Sequence, residues 1–406
     1  MSSYKMYDTR RMMNYIGFNQ DLKMIAVGHK EGYMFYKTSD VLDKSRLSCG
    51  IQNLNNLGLQ NCTIIERLFS SSLMIVVSQK NLRVLNVATN NIICDHQFNK
   101  PVLTVRLNKQ VMLCNNVNCP TESSFLQRVI VCLEDSILIY NIKDMKMMHS
   151  IVDTPLNKLG VVDLTSNSGD AYIAFPGNTT TGSVHLFDAI NLVSVNTFVA
   201  HEGALACLQF NQKGDMIATA STKGTVIRVY SVPDGHLLFE FRRGVSRCVT
   251  IYSLCFSSDS KYLASSSNTE TVHVFKLEKT EDVSKPEVPN DMMETAAGWL
   301  SAFNKTVSTY MPYQFMQVSE LMTTERSFAT AKLPCVTESN RVALVSHKNH
   351  QYLMVATNDG FVYAYQMNPE GGELDLVKQH YIGPESESLH SSPLGNVTNT
   401  RSHNDF

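Results

Sequence analysis

The sequence predicts an all-β fold, a seven-bladed β-propeller of the WD-repeat type with one long loop in its sixth blade. Three observations predict it: strand signals from end to end, a phrase that repeats, and a regular period. Short β-branched and aromatic runs alternate with turns such as NQKGD, VPDG, SSDSK and TNDG, and sustained helical periodicity is almost absent. The phrase is clearest where GALACLQFNQKGDMIATASTKGTVIRVYSVPDGHLLFEF (203–241) is set beside VTIYSLCFSSDSKYLASSSNTETVHVFKLE (249–278). Each has an apolar strand, a polar turn with Asp, a second strand ending in small residues, a turn, and a third strand. About seven copies recur at roughly 40–45 residues, the period of four-stranded propeller blades. One such sheet cannot bury both of its faces, so blades stack around an axis and bury one another.

Taken in order, the chain begins with a short N-terminal segment, 1–13, and the propeller is expected over 14–383. Weaker copies stand at 17–37, 67–87, 128–142 and 161–189; the clear pair follows, and the last copy is 342–367. Blade ends read LFDA, VYSV and HVFK in place of a GH…WD consensus, which leaves a sandwich array or two separate β domains as alternatives. Residues 111–127 interrupt the third copy and read as a surface loop. Residues 279–325 form a long insertion between the third and fourth strands of the sixth. The tail 384–406 is rich in Ser and Asn and poor in large apolar groups, so it is expected to be disordered.

Composition narrows the function. A formal net charge of −2 over 406 residues argues against a nucleic-acid binder, whose domain is usually strongly basic. No window approaches the ~20 apolar residues of a membrane-spanning helix, and the start lacks the apolar core of a secretion signal. Ten cysteines form no CxxC pair; most sit in apolar runs, as do Cys132, Cys207 and Cys255, and read as reduced thiols of a cytosolic protein. GxxxxGK[ST], GxSxG, HExxH and EF-hand patterns are absent, so no enzyme, cofactor or metal is expected. His347 and His350 are the only close histidine pair, and their setting (SHKNHQ) reads as a solvated turn.

Chemistry gathers at Phe241-Arg242-Arg243-Gly244, between the fifth and sixth copies. Neighbours on an extended segment point to opposite sides, so the two guanidinium groups would serve the two flanking blades separately. Each side offers small hydroxyls: Thr219, Ser221, Gly224, Thr225 and Arg228 on one, and Ser266, Ser267, Asn268, Thr269, Thr271 and His273 on the other. Hydroxyls, backbone amides near glycine and a bidentate guanidinium suit a phosphate monoester. Two arginines paired with acids on a solvated rim are the plain alternative.

FRRG after the fifth copy of such a repeat resembles the PROPPIN family of phosphoinositide-binding propellers. ERLFSSSL, ATASTKGTVIRVYSVPDG, LFEFRRG and SSSNTETVHVFKLE are similar to its WIPI-type autophagy members in particular. The resemblance covers about 14–383, strongest over 201–278. It implies two headgroup pockets for phosphatidylinositol 3-phosphate and the 3,5-bisphosphate. The first would use His201, Thr219, Ser221, Gly224, Thr225, Arg228 and Arg242; the second, Arg243, Arg247, Ser267, Thr271 and His273. It also implies a monomeric, non-enzymatic, cytoplasmic effector, peripheral on phagophore, autophagosomal and endosomal membranes, that brings autophagy proteins there.

Within 279–325, TAAGWLSAFNKTVS alone has helical periodicity, with Trp299, Leu300, Phe303 and Val307 on an arc of about 100°. Such a face docks on the propeller or lies in a membrane interface; the family's equivalent loop enters membranes, which favours the second. Lys109 and Lys143 stand where WIPI-type relatives carry basic residues for an acidic segment of the lipidation machinery's coiled-coil adaptor. Here both are Lys rather than Arg, so charge is kept and bidentate geometry is lost. A scaffold propeller without lipid binding and a propeller enzyme are the competing readings.

Overall fold

Strands covered on both faces need continuous apolar runs, and the second strands of the blades supply them. In Leu73–Ser78 (LMIVVS) and Met216–Ser221 (MIATAS) every interior position is buried. The outermost strands are covered less, and Asn91–Gln97 is exposed at almost every position. The computed structural model describes residues 13–30, 32–47, 52–53, 61–111, 125–166, 169, 171–244, 248–278 and 327–383.

Those strands form seven sheets: 15–53, 64–97, 104–151, 163–201, 205–242, 251–276 with 329–332, and 340–366 with 375–381. They are blades 1 to 7, and each matches one of the predicted copies. The first strand of each blade lines a central channel, and the fourth lies at the rim. Seven apolar clusters, one between each pair of neighbouring blades, make up the core among the described residues. One sets Ile25 and Val27 of blade 1 against Met354 and Val362 of blade 7, so the ring is closed.

Closure comes from packing rather than strand exchange, because blades 1 and 7 each use their own strands. Polar contacts also hold the seam. Met13 N donates to Asn358 O (3.0 Å), and His380 Nε2 to Val41 O (3.0 Å). Asp43 Oδ1 accepts from His347 Nε2 (2.9 Å) and Lys348 Nζ (2.6 Å). The turn expected to be merely solvated is therefore part of the clasp.

Blade 6 has a fifth strand. Gly372–Glu373, from the blade 7 hairpin, pairs in parallel with Ala329–Lys332. Gly372 N donates to Phe328 O (3.0 Å), Leu374 N donates to Thr330 O (2.8 Å), and Leu374 is buried beside Ala329 and Ala331.

Across the channel, polar side chains from five blades join. Tyr15 OH donates to Glu66 Oε1 (3.3 Å), and Arg106 reaches Glu66 (3.4 Å) and Asp163 (3.1 Å). Gln209 Nε2 and Phe210 N donate to the other Asp163 oxygen, at 3.2 and 2.7 Å. They line a polar cavity of about 300 Å³.

The predicted loop 111–127 is shorter than expected, since strands Thr104–Val111 and Phe125–Cys132 take up both of its ends. Its centre, the helix of the 279–325 insertion, the tail and residues 1–12 lie outside the described residues.

Candidate functional site

The outer strand of blade 5, Leu237–Arg242, ends in FRRG. Phe241 anchors that end: it is buried between blades 5 and 6, with its ring stacked on Phe275 at 4.8 Å. Arg242 pairs with Val226 across the ladder, and Arg243 N donates to Thr225 O (3.0 Å). With the backbone pinned, Arg243 turns to blade 6. Its Nη2 donates to Ser267 Oγ (2.6 Å) and to Thr269 Oγ1. Alternation along the strand sends Arg242 to the opposite side.

The blade 5 cluster is built on the turn 221–225. Gly224 has φ +65°, and a Cβ there would lie 2.0 Å from Val249 O, so only glycine lets the turn meet the strand entering blade 6. Ser221 and Thr225 are nearly buried, and Thr219 is completely so. His201 reaches in from blade 4, its Nε2 2.9 Å from Thr219 Oγ1, whose hydroxyl lies 3.3 Å from Arg228 O. With the hydroxyl donating to that carbonyl, Nε2 is the protonated ring nitrogen. Burial first, then Arg228, pulls His201 down to about 4, so it is neutral at pH 7. Arg228 Nε donates to Glu240 Oε2 (2.6 Å) and Nη1 to Ala200 O (2.7 Å), a carbonyl that also accepts from Tyr230 OH (3.0 Å).

The blade 6 cluster repeats this plan. Ser267 is buried, 3.1 Å from Thr269 Oγ1, which donates to Thr271 O (3.4 Å). His273 faces Ser265 across one ladder and Thr330 across the other, as Arg228 faces Thr219 and Glu240. His273 and Arg228 therefore hold equivalent places in successive blades. Burial and then Arg243 hold His273 down at about 4, and its Nδ1 has no hydrogen-bond partner among the described residues.

The sequence missed two participants. Thr269, placed only in the surroundings, bonds Arg243 directly. Glu240 was not singled out: counting from the VPDG turn sets Phe239 opposite Arg228, and only the bulge between Val229 and Tyr230 brings Glu240 there. Arg247 lies outside the described residues, as do Trp299, Leu300, Phe303 and Val307.

One placement differs from what proximity in the chain implies. The insertion departs from Lys276, five residues or about 16 Å along the strand from Thr271, so it leaves the far end of blade 6 from Arg243. Lys109 pairs with Gln127, and Asn141 with Arg128, so strand positions 109 and 141 share one end of blade 3. Lys143 follows in an exposed turn, its N donating to Asn141 Oδ1 (3.1 Å). That end corresponds to the ring face opposite the one where Leu237–Arg242 finishes.

Among the described residues no three His, Cys, Asp or Glu side chains group as metal ligands, and no helix is long and apolar enough to cross a membrane. Fold and site together define a seven-bladed propeller with two hydroxyl-lined clusters at its rim, flanking a pair of adjacent arginines. The chain belongs to the PROPPIN family, whose sequence model matches residues 12–382. It is 68% identical over 385 residues to Autophagy-related protein 18 of Caenorhabditis elegans, covering 94% of this chain and 88% of that one. It is 42% identical over 386 residues to WD repeat domain phosphoinositide-interacting protein 2 of Gallus gallus, covering 93% and 81%. In fold it is similar to Kluyveromyces lactis Hsv2 (TM-score 0.63, 19% identity, 92% of this chain and 99% of that one). It is likewise similar to KlAtg21, solved in complex with the coiled coil of AgAtg16 (TM-score 0.64, 21% identity, 91% and 99%).

Proposed function

We propose that the chain is a non-enzymatic phosphoinositide effector of autophagy, binding phosphatidylinositol 3-phosphate and the 3,5-bisphosphate at the two clusters flanking FRRG. One observation carries the reading: Arg243 is held among hydroxyls on blade 6 while the equivalent cluster of blade 5 lies across the same strand end. Two cation-and-hydroxyl sites on one rigid rim hold two headgroups of the same membrane, and each raises the effective concentration of the other. The relatives' names, autophagy-related and phosphoinositide-interacting, support it.

The clusters and the root of the insertion lie at opposite ends of the blade 6 strands, so a flat membrane meets both only along the rim. The propeller therefore stands edge-on, with Trp299, Leu300, Phe303 and Val307 as the apolar contact. In this reading Lys109 and Lys143, on blade 3 across the ring from blade 6, stay free for an acidic coiled-coil adaptor. The KlAtg21–AgAtg16 complex gives that role a precedent in a protein of like fold.

Flotation with liposomes tests the proposal. Wild-type protein should float with vesicles carrying phosphatidylinositol 3-phosphate, and Arg242→Thr with Arg243→Thr should stay at the bottom with its melting temperature little changed. Flotation of the folded double variant at the wild-type level would remove the lipid reading and leave the scaffold one.

A further inference from the structure

Counted from the sequence, each pocket holds two arginines, Arg228 and Arg242 in the first and Arg243 and Arg247 in the second. The ion pairs change that count. Glu240 lies directly opposite Arg228 in the blade 5 ladder and accepts from its Nε at 2.6 Å. Side-chain exposures of 27% and 28% put the pair partly out of solvent, so screening by water and salt is incomplete. At the equivalent place in the second pocket His273 faces Thr330, and no acid occupies Glu240's position.

We propose that Glu240 is a specificity-determining residue of the first pocket: it offsets the charge of Arg228 and so disfavours headgroups with more than one ring phosphate beyond the phosphodiester. This rests on the phosphoinositide reading above. Two features of the geometry carry it. The bidentate side edge of a guanidinium uses Nε, and that nitrogen is already occupied by Glu240 while Nη1 donates to Ala200 O. A phosphate therefore meets Arg228 through what remains of its far end. The carboxylate also repels any anion placed there. Because that repulsion scales with the product of charges, each added phosphate is penalised further.

Glu240→Gln isolates the charge, since the amide oxygen still accepts from Nε. The measurement is calorimetric titration with soluble inositol 1,3-bisphosphate and inositol 1,3,5-trisphosphate, in an Arg243→Thr background where only the first pocket binds. The substitution should tighten the bisphosphate roughly fivefold and the trisphosphate by more, with both gains shrinking as salt is raised. Glu240→Ser, which loses the acceptor as well, should shift the preference in the same direction. Unchanged or weaker binding in Glu240→Gln, or an unchanged ratio between the two ligands, overturns the role of Glu240. Adding Arg242→Thr to the same background should abolish binding; if it does not, the headgroup reading of this pocket fails whatever Glu240 does.

Discussion

The resemblance places His201 and His273 in the headgroup pockets, and burial keeps both neutral, at about 4. His201 supports the first cluster through its bond to Thr219, whereas His273 is stacked with Phe275, ring centroids 6.2 Å apart. Their acid behaviour has a definite sign. Between the ordinary value of 6.5 and about 4, the unfolded chain binds protons that the folded chain does not, so stability falls as pH is lowered through that window. Glu66 acts oppositely: burial pushes it up to about 7 from 4.5, so the folded chain takes that proton first and gains on acidification. His201→Gln keeps a donor for Thr219 and removes one titrating group. Its loss of stability from pH 7 to pH 5 should be smaller than wild type's by up to about 2 kcal/mol. Urea unfolding at the two pH values measures this, and equal losses in the two proteins would show that His201 is not held neutral.

At the scale of elements, the strap from blade 7 explains how blade 6 keeps a fourth strand of only four residues, Ala329–Lys332, right after a long insertion. Gly371 makes the crossing possible. It has φ +75°, and a Cβ would sit 2.3 Å from Phe328 O. Tyr262 (ring centroids 5.4 Å apart) and Lys276 (5.8 Å from the ring centroid) hold Phe328 from the other side. The returning root of the insertion is thus clamped by two blades. Gly371→Val should destabilise the protein by about 1–3 kcal/mol and release the strap. Hydrogen exchange should show the amides of Gly372 and Leu374 losing protection, with the blade 5 strand Met216–Ser221 unaffected. Retained protection at Gly372 would mean that the strap tolerates the side chain.

Over the whole molecule, the ring is tied twice: by seven apolar seams and by the channel network of Tyr15, Glu66, Arg106, Asp163 and Gln209. Arg106 is the hinge of that network, facing two carboxylates that are almost wholly buried. Its removal strands two buried charges, a situation that costs about 3–5 kcal/mol. Arg106→Ala should therefore lower the urea midpoint sharply at pH 7.5. Much of the loss should return at pH 5.5, where Glu66, pushed up to about 7 by burial, takes up a proton. A loss as large at pH 5.5 as at pH 7.5 would show that Arg106 contributes packing rather than charge.

The sequence by itself determined the blades and the position of the arginine pair. Repeat period, turn residues and apolar runs are local properties, and the seven copies correspond to the seven sheets; alternation at Arg242 and Arg243 is equally local. What only the tertiary structure decided depends on residues far apart in the chain. Burial of His201 beneath Thr219 sets its charge, and the pairing of Arg228 with Glu240 sets the pocket's. The reach of Gly372–Glu373 into blade 6 and the meeting of Glu66, Arg106 and Asp163 across the channel leave no periodic trace. Sequence distance also misled: Thr271 and the insertion are neighbours in the chain, but an extended strand advances about 3.3 Å per residue and carries them to opposite ends of the blade. Local pattern encodes which strands form, whereas charge state and proximity follow from what closing the ring brings together.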